Sequence, residues 1–137
     1  MPLWTTYLAR RNWFMESPSR LRSVFQNELS IEFVYVARNR GNREVEPPEM
    51  VLRLAKEKAI TWEGYRDAYL DSLNNSDSRW WLQTIARRSS EANIVLVCYE
   101  GPQFGQYCHR FLLAELLQKE YAVEYKGEIS DEMFKVS

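Results

Sequence analysis

The segment that organises this chain reads Ile94-Val-Leu-Val-Cys98-Tyr-Glu100-Gly101-Pro-Gln-Phe-Gly105-Gln-Tyr-Cys108-His109-Arg110-Phe-Leu-Leu113. A short apolar run comes first, a turn rich in glycine and proline follows, and an apolar helical pattern begins at Cys108. The order predicts a strand, a loop and a helix. Because the strand is apolar throughout, we expect it to lie in the middle of a sheet with both faces covered.

Strands and helices alternate on either side of this segment. The pattern predicts further strands over residues 2–9, 31–37 and 121–126, and helices over 17–29, 49–58, 61–73 and 78–90. This alternation indicates an α/β fold in which a small, mostly parallel sheet is flanked by helices, giving three layers. With no internal repeat and no linker, residues 1–137 are predicted to form a single domain.

Composition excludes several classes of protein. The chain has 137 residues with 45% hydrophobic side chains and a formal net charge of −1, which argues against nucleic-acid binding by bulk electrostatics. No apolar run approaches the roughly 20 residues that cross a bilayer, and the first residues lack the layout of a signal peptide. We therefore expect a cytoplasmic protein, no membrane partner and two reduced cysteines.

The loops that follow the predicted strands should share one edge of the sheet. In open parallel sheets, ligands usually bind at the edge formed by the carboxyl ends of the strands. Cys98 and Glu100 lie at such an end, and the loops expected after the first two strands add basic residues, namely Arg10, Arg11, Arg38, Arg40 and Arg43. The sequence predicts a small anionic ligand at this edge, with Arg10, Arg38 and Arg40 among its binding residues.

The start of the last long helix adds a second cysteine to this edge. A helix N-terminus carries roughly half a positive charge, so a thiol at Cys108 should have a lowered pKa. Arg110 in the first turn opposes the helix dipole, which is reasonable if it faces an anion, either a ligand or Glu100. Consecutive helical residues do not face each other, so the side chain of His109 is predicted to face Cys98 or the ligand and not Cys108.

Aromatic residues repeat at helical spacing between residues 62 and 73. Tyr65 and Tyr69 belong to this stripe, which is most simply explained by packing in the core. The alternative is that these rings form a wall of the cleft and stack on a base or a sugar of the ligand. Tyr65 and Tyr69 are therefore also candidate ligand-binding residues.

The spacing of Cys98, Cys108, His109 and Arg110 can be compared with that of a disulfide, a zinc site and a phosphatase loop. A disulfide between Cys98 and Cys108 would close a loop of about eleven residues and contribute roughly 2.5 to 3 kcal/mol. A closed structural zinc site requires four ligands, and the chain has no cysteine or histidine beyond Cys98, Cys108 and His109. The cysteine, five residues, arginine spacing of the protein tyrosine phosphatase loop is absent. The sequence thus predicts no metal and no cofactor.

The segment from Leu96 to Arg110 resembles the signature of the domain of unknown function 488 family. In that family a Leu-Cys-x-Glu strand end precedes Cys-His-Arg, and the matching residues here are Cys98, Glu100, Cys108, His109 and Arg110. Trp4-Thr-Thr-Tyr7 and the aromatic stripe from Trp62 to Leu73 are similar to that family as well. The resemblance implies a compact α/β domain with a cysteine-bearing pocket, and it implies no particular reaction.

Two functions from different classes remain open at this point, with a metal site as a third option that metal analysis of the purified protein would decide. The first is a pocket that binds an anionic or nucleotide-like ligand and performs thiol-based catalysis or redox chemistry. Its candidate catalytic residues are Cys98, Glu100, Cys108, His109 and Arg110. The second is a non-catalytic module that binds nucleic acid or protein, in which the same turn is structural. Whether the protein is an enzyme is left undecided by the sequence, as are its substrate and oligomeric state.

Overall fold

A sheet of four parallel strands forms the centre of the molecule. The structure is a computed structural model that describes residues 2–16, 19–20, 25, 31–37, 41–98 and 108–129. Its strands are β1 (Leu3–Tyr7), β2 (Ile31–Tyr35), β3 (Asn93–Cys98) and β4 (Tyr125–Glu128). Their order across the sheet is β2-β3-β1-β4, and every pair is parallel. Each crossover therefore has to return the chain to the same end of the sheet before the next strand starts.

Five α-helices among the described residues accompany the sheet. They are α1 (Leu8–Met15), α2 (Glu49–Lys56), α3 (Trp62–Ser72), α4 (Ser76–Arg88) and α5 (His109–Tyr121), and a 3₁₀ turn spans Arg43–Val45. This arrangement confirms the predicted α/β class. None of the described helices combines the length and the apolar character that crossing a bilayer requires.

The central strand β3 is buried along its whole length, as its apolar sequence predicts. Its alternate side chains point to opposite faces of the sheet, as the strand geometry requires. Ile94, Leu96 and Cys98 belong to a large apolar cluster that includes residues of α3, α4 and α5, whereas Val95 and Val97 belong to a smaller cluster with Leu8 and Trp13 of α1. Both faces are covered, so the fold has the three predicted layers.

Side-chain caps mark the starts of two helices. The hydroxyl of Thr61 accepts a hydrogen bond of 3.0 Å from the backbone N–H of Gly64 and caps α3, which confirms the helix predicted to start at this point. The side chain of Asn75 accepts one of 2.8 Å from Ser78 and starts α4 at Ser76, two residues before the expected position. Asparagine is a preferred N-cap residue, which explains the earlier start.

The predicted first strand is confirmed over Leu3–Tyr7, but the prediction that it reaches residue 9 and is followed by an arginine loop was wrong. β1 ends at Tyr7, and Leu8 starts α1 at once, so Arg10 and Arg11 lie on a helix. Tyr7 makes no side-chain capping bond, and no glycine or proline separates the two elements, so the sequence contains no local signal for the change. The helix depends instead on tertiary packing, because Leu8 and Trp13 pack against the smaller core cluster.

The last strand also differs from its prediction. Tyr121 is the final residue of α5, and Ala122 follows in the left-handed conformation with φ of 57°. Strand β4 then begins only at Tyr125 and pairs with β1. The helix predicted over 17–29 falls mostly outside the described residues; within it, Phe25 is helical and only 4% exposed.

Candidate functional site

The candidate site lies at the carboxyl ends of the parallel strands, where the sequence placed it. Tyr7 at the end of β1 pairs across the sheet with Cys98 at the end of β3. Val36 follows β2 and donates its backbone N–H to Val97 over 2.9 Å, so it continues the same edge. The first turn of α5 approaches this edge and brings His109 and Cys108 to Cys98.

His109 is held in one orientation by the backbone. Its Nε2 contacts the carbonyl oxygen of Val36, and a carbonyl can only accept, so Nε2 carries the hydrogen and donates it. In the neutral ring the other nitrogen, Nδ1, is then an acceptor, and it lies 3.8 Å from Sγ of Cys98. The thiol of Cys98 can therefore give its proton to His109. Of the two partners predicted for His109, Cys98 or the ligand, the structure shows a contact with Cys98.

Cys108 completes a compact group of three buried side chains. Sγ of Cys98, Sγ of Cys108 and a ring nitrogen of His109 lie within 4.8 Å of one another, and neither cysteine forms a disulfide or exposes more than 1% of its surface. Burial raises the pKa of Cys108, but hydrogen bonds from Cys98 and His109 and the positive charges of His109 and Arg110 outweigh burial. Together they hold the pKa of Cys108 well below the usual thiol range.

Arg110 faces a carboxylate that sequence reasoning missed. Its guanidinium, 1% exposed, donates from Nε to Oε1 of Glu128 over 3.1 Å and from Nη2 to Oε2 over 2.7 Å. Glu128 lies on β4, which the sheet order places beside β1. Burial lowers the pKa of Arg110, but the hydrogen bonds from Glu128 and the nearby negative charges raise it above its ordinary value. Arg110 thus remains a permanent cation beside Cys108.

The two tyrosines predicted as ligand-binding residues lie in the core. Tyr65 and Tyr69 are both 0% exposed, and their rings stack at a centroid distance of 6.4 Å. The edge-to-face contact of Tyr69 with His109 has a centroid distance of 5.4 Å, while its hydroxyl donates to the carbonyl of Val45 over 2.5 Å. Burial, with the negative charges of Tyr65 and the two cysteines, raises the pKa of Tyr69 well above 10. Tyr69 is therefore a neutral support for the imidazole.

The predicted basic residues do not all come to this edge within the described part of the chain. Arg10 lies on α1, beside the end of β1, with its guanidinium 6.0 Å from the ring of Tyr7. Arg43 starts the 3₁₀ turn and lines a different cavity, together with Ser72 and Asn75. Glu100, Arg38 and Arg40 lie outside the described residues, so their roles stay predictions.

The three clustered atoms could also contact a soft metal ion, since thiolate and imidazole are ligands that zinc prefers. His109 would be oriented for this by its bond to Val36, as metal-bound histidines often are. A closed structural zinc site needs a fourth ligand, and the sequence has no further cysteine or histidine to supply it. Two cysteines and one histidine with an open fourth position would still suit a catalytic zinc ion. We call the group of Cys98, Cys108 and His109 the thiol centre.

Comparison with known family models identifies the family of this chain. The chain belongs to the domain of unknown function 488 proteins, as its cysteine signature had suggested. The family model that matches is DUF488-N3a, described as the active DUF488-N3 subclade, and it covers residues 39–121, more than half of the chain and all three clustered residues. No curated protein and no solved structure matches the sequence.

Proposed function

We propose that this protein is a thiol-dependent enzyme in which Cys108 is the nucleophile and Cys98 and His109 hold and return its proton. The observation that carries the proposal is the fixed imidazole. His109 donates from Nε2 to Val36, so its Nδ1 faces the sulfur of Cys98. The two thiols and the imidazole form a buried group whose members can exchange protons. This arrangement supports the proposal because it places a proton acceptor beside the Cys98 thiol and keeps Cys108 in the same buried group.

The reaction we propose is covalent group transfer. The thiolate of Cys108 forms a bond to an electrophilic carbon or phosphorus atom of the substrate, and the bond to the leaving group breaks. The leaving group departs with a proton that the imidazolium of His109 supplies. Water then attacks the covalent intermediate, gives its proton back to His109 and releases the thiolate. No oxidant or reductant enters this cycle.

The remaining predicted residues have supporting roles in this proposal. Arg110 supplies positive charge beside the thiolate, and Glu128 keeps the guanidinium in place. Glu100 stays a candidate acid or base. The substrate is anionic, in keeping with the basic residues predicted at this edge. The description of the matched subclade as active supports catalysis as well.

The proposal is tested by titrating the thiols through the ultraviolet absorbance of the thiolate, which reports on buried sulfur. We expect the native protein to show one thiolate with a pKa well below about 8.5. Cys108→Ser should remove this transition, and His109→Gln should shift it upward, because glutamine can still donate to Val36 but carries no charge. The exposed arginine variant Arg53→Gln, on α2, is the control and should titrate as the native protein does. Two thiols that both titrate above about 8.5 would overturn the proposal.

A further inference from the structure

The thiol centre contains two sulfur atoms, and the proposed group transfer forms a covalent bond to only one of them. Cys108 is the nucleophile there, whereas Cys98 only holds and returns a proton. Sγ of Cys98 and Sγ of Cys108 lie within 4.8 Å of each other in the large apolar cluster. A disulfide bond is about 2.05 Å long, so the two sulfur atoms would have to approach each other by no more than about 2.8 Å. The two thiols are therefore neighbours that a small movement can join.

Both cysteines lie at the end of a secondary-structure element. Cys98 is the last residue of β3, and Cys108 is the N-cap of α5 with extended backbone angles, φ of −88° and ψ of 129°. Side chains at such positions can change rotamer without breaking the hydrogen bonds of a whole strand or helix. Cys108 also makes no capping hydrogen bond through its side chain, so turning its sulfur towards Cys98 removes no cap from α5.

His109 is placed to move the protons that disulfide formation requires. Its Nδ1 is the acceptor nitrogen of the ring and lies 3.8 Å from Sγ of Cys98. Because Nε2 donates to the carbonyl of Val36, the ring keeps this orientation while Nδ1 gains and loses a proton. The thiolate and not the thiol attacks another sulfur, so a base beside Cys98 suits this residue to resolve an oxidised Cys108.

The surroundings of the two sulfur atoms favour an uncharged oxidant. Both cysteines are buried within the apolar cluster, and transferring an ion into apolar surroundings is costly. Hydrogen peroxide is uncharged and oxidises thiolates to sulfenic acid. The positive charge of Arg110 near Cys108 favours the thiolate that this reaction requires. A hydroperoxide is therefore the class of oxidant that matches the site.

We propose that the thiol centre reduces hydrogen peroxide to water and is itself oxidised to a disulfide between Cys98 and Cys108. The thiolate of Cys108 attacks one peroxide oxygen and the O–O bond breaks, which leaves a sulfenic acid on Cys108. The departing hydroxide takes a proton from the imidazolium of His109 and becomes water. His109 then takes the thiol proton of Cys98, and the resulting thiolate attacks the sulfur of Cys108. The S–O bond breaks, and the second hydroxide leaves as water with the proton from His109, so that two electrons pass from the sulfurs to the peroxide.

This inference rests on the proposed function for the thiolate of Cys108 and goes beyond it by giving Cys98 a covalent role. A dithiol such as dithiothreitol restores the reduced pair by exchange, and the dithiol itself ends as a disulfide. While the protein disulfide is present, Cys108 has no thiolate with which to attack a substrate. Peroxide therefore also stops the proposed group transfer until a reductant restores it.

Peptide mass spectrometry after exposure to hydrogen peroxide tests the proposal. Cleavage after Arg88 and Arg110 releases residues 89–110 as one tryptic peptide, which contains both cysteines and no methionine. Catalase stops the reaction, and iodoacetamide in denaturant then labels every remaining thiol. We expect the native peptide to lose two hydrogen atoms and take up no label, and dithiothreitol to reverse this change. The loss should be at least roughly tenfold faster than oxidation of the amino acid cysteine at neutral pH, because only a small fraction of that thiol is ionised there.

Variants assign the two steps. Cys98→Ser should stop at the sulfenic acid or its further oxidation products, so that the peptide gains oxygen and forms no internal disulfide. Cys108→Ser should slow peroxide consumption by roughly tenfold or more, because the nucleophile of the first step is lost. His109→Gln should also slow it by roughly tenfold or more, because the ring that moves the protons is lost. The control Arg53→Gln, an exposed position on α2, should react as the native protein does.

The native protein alone can decide against the proposal, whether or not every variant folds. Oxidation no faster than that of the amino acid cysteine would overturn it, and so would addition of oxygen to the native peptide in place of the loss of two hydrogen atoms. An unchanged rate in Cys108→Ser would do the same. Thiolate titration keeps the two proposals apart. A lowered thiolate pKa without disulfide formation would overturn the peroxide activity alone, whereas two thiols that titrate above about 8.5 would overturn both proposals.

Discussion

At the scale of single residues, Arg110 is paired with a carboxylate from a strand that follows its helix. The guanidinium is almost fully buried, and its Nε and Nη2 donate to Glu128, whose side chain is 24% exposed. Removing one partner of a buried ion pair is costly because the remaining buried charge loses compensation. The pair also joins the N-terminal turn of α5 to the strand β4, so it fixes the position of the helix start.

We predict that Glu128→Gln lowers the free energy of unfolding by about 2 to 4 kcal/mol. This loss is slightly smaller than the loss measured for fully buried ion pairs, because Glu128 is partly exposed. The matched control is Glu124→Gln. Glu124 lies four residues earlier and pairs with Lys126 over 3.0 Å, but both side chains are at least half exposed. This control should change stability by less than about 1 kcal/mol. Urea unfolding would measure both, and equal effects of the two substitutions would contradict the assignment.

The residues of the thiol centre were predictable from the sequence only in part. The proximity of Cys98 to Cys108 and His109 follows from a general rule, because a strand end and the start of the next helix meet at one edge of a parallel sheet. Glu128 could not be predicted as the partner of Arg110. Its position depends on β4 lying next to β1, and that pairing joins parts of the chain that are far apart in sequence.

At the scale of elements, local signals decide which helices can be predicted. Helix α3 has a threonine cap and a regular aromatic face, and its start was predicted correctly. Helix α1 has no capping side chain and follows a strand directly, so its residues were assigned to a strand and a loop. Its stability comes from Leu8 and Trp13 packing on the sheet, which no local pattern reports.

The cap of α3 leads to a prediction at this scale. Thr61→Ala should lower the free energy of unfolding by about 1 kcal/mol, because the N–H of Gly64 loses its acceptor. Thr84→Ala is the matched control, since the hydroxyl of Thr84 only donates to the carbonyl of Trp80 on an exposed face of α4. The control should be nearly neutral in chemical denaturation. A loss in Thr84→Ala as large as in Thr61→Ala would show that the cap contributes nothing of its own.

At the scale of the whole molecule, the sheet order brings distant segments together. Strand β1 lies between β3 and β4, although about 90 residues separate it from β3. The α/β class could be predicted because alternating strands and helices have few packing solutions. The order β2-β3-β1-β4 could not, since it is set by side-chain packing across the two core clusters rather than by any local preference.

The lowered pKa of Cys108 makes the stability of the whole protein depend on pH. At a pH below the folded-state pKa the thiol is protonated in both states and contributes nothing. Between that value and the unfolded pKa of about 8.5, the unfolded state binds a proton that the native state does not, so stability rises with pH. Above this window the contribution is complete. The sign is opposite for Tyr69, whose pKa is raised and which destabilises the fold only above about pH 10.

We therefore predict that the difference in unfolding free energy between the native protein and Cys108→Ser grows from neutral pH to about pH 9. The slope should not exceed about 1.4 kcal/mol per pH unit, which corresponds to one proton. Denaturant unfolding at several pH values would measure it. Thr84→Ala removes no titratable group, so its difference from the native protein should stay constant. A Cys108→Ser difference that is flat or falls with pH would contradict a stabilised thiolate.

The depth of the two sulfur atoms has one more consequence. Both cysteines expose only 1% of their surface, so bulky disulfides and alkylating agents collide with the outside of the protein rather than with sulfur. A thiolate in an open cleft would react with the electrophiles present in solution. For the thiolate proposed at Cys108, molecular size would act as a filter ahead of reactivity, so a substrate can react only if its electrophilic group is narrow enough to reach the sulfur.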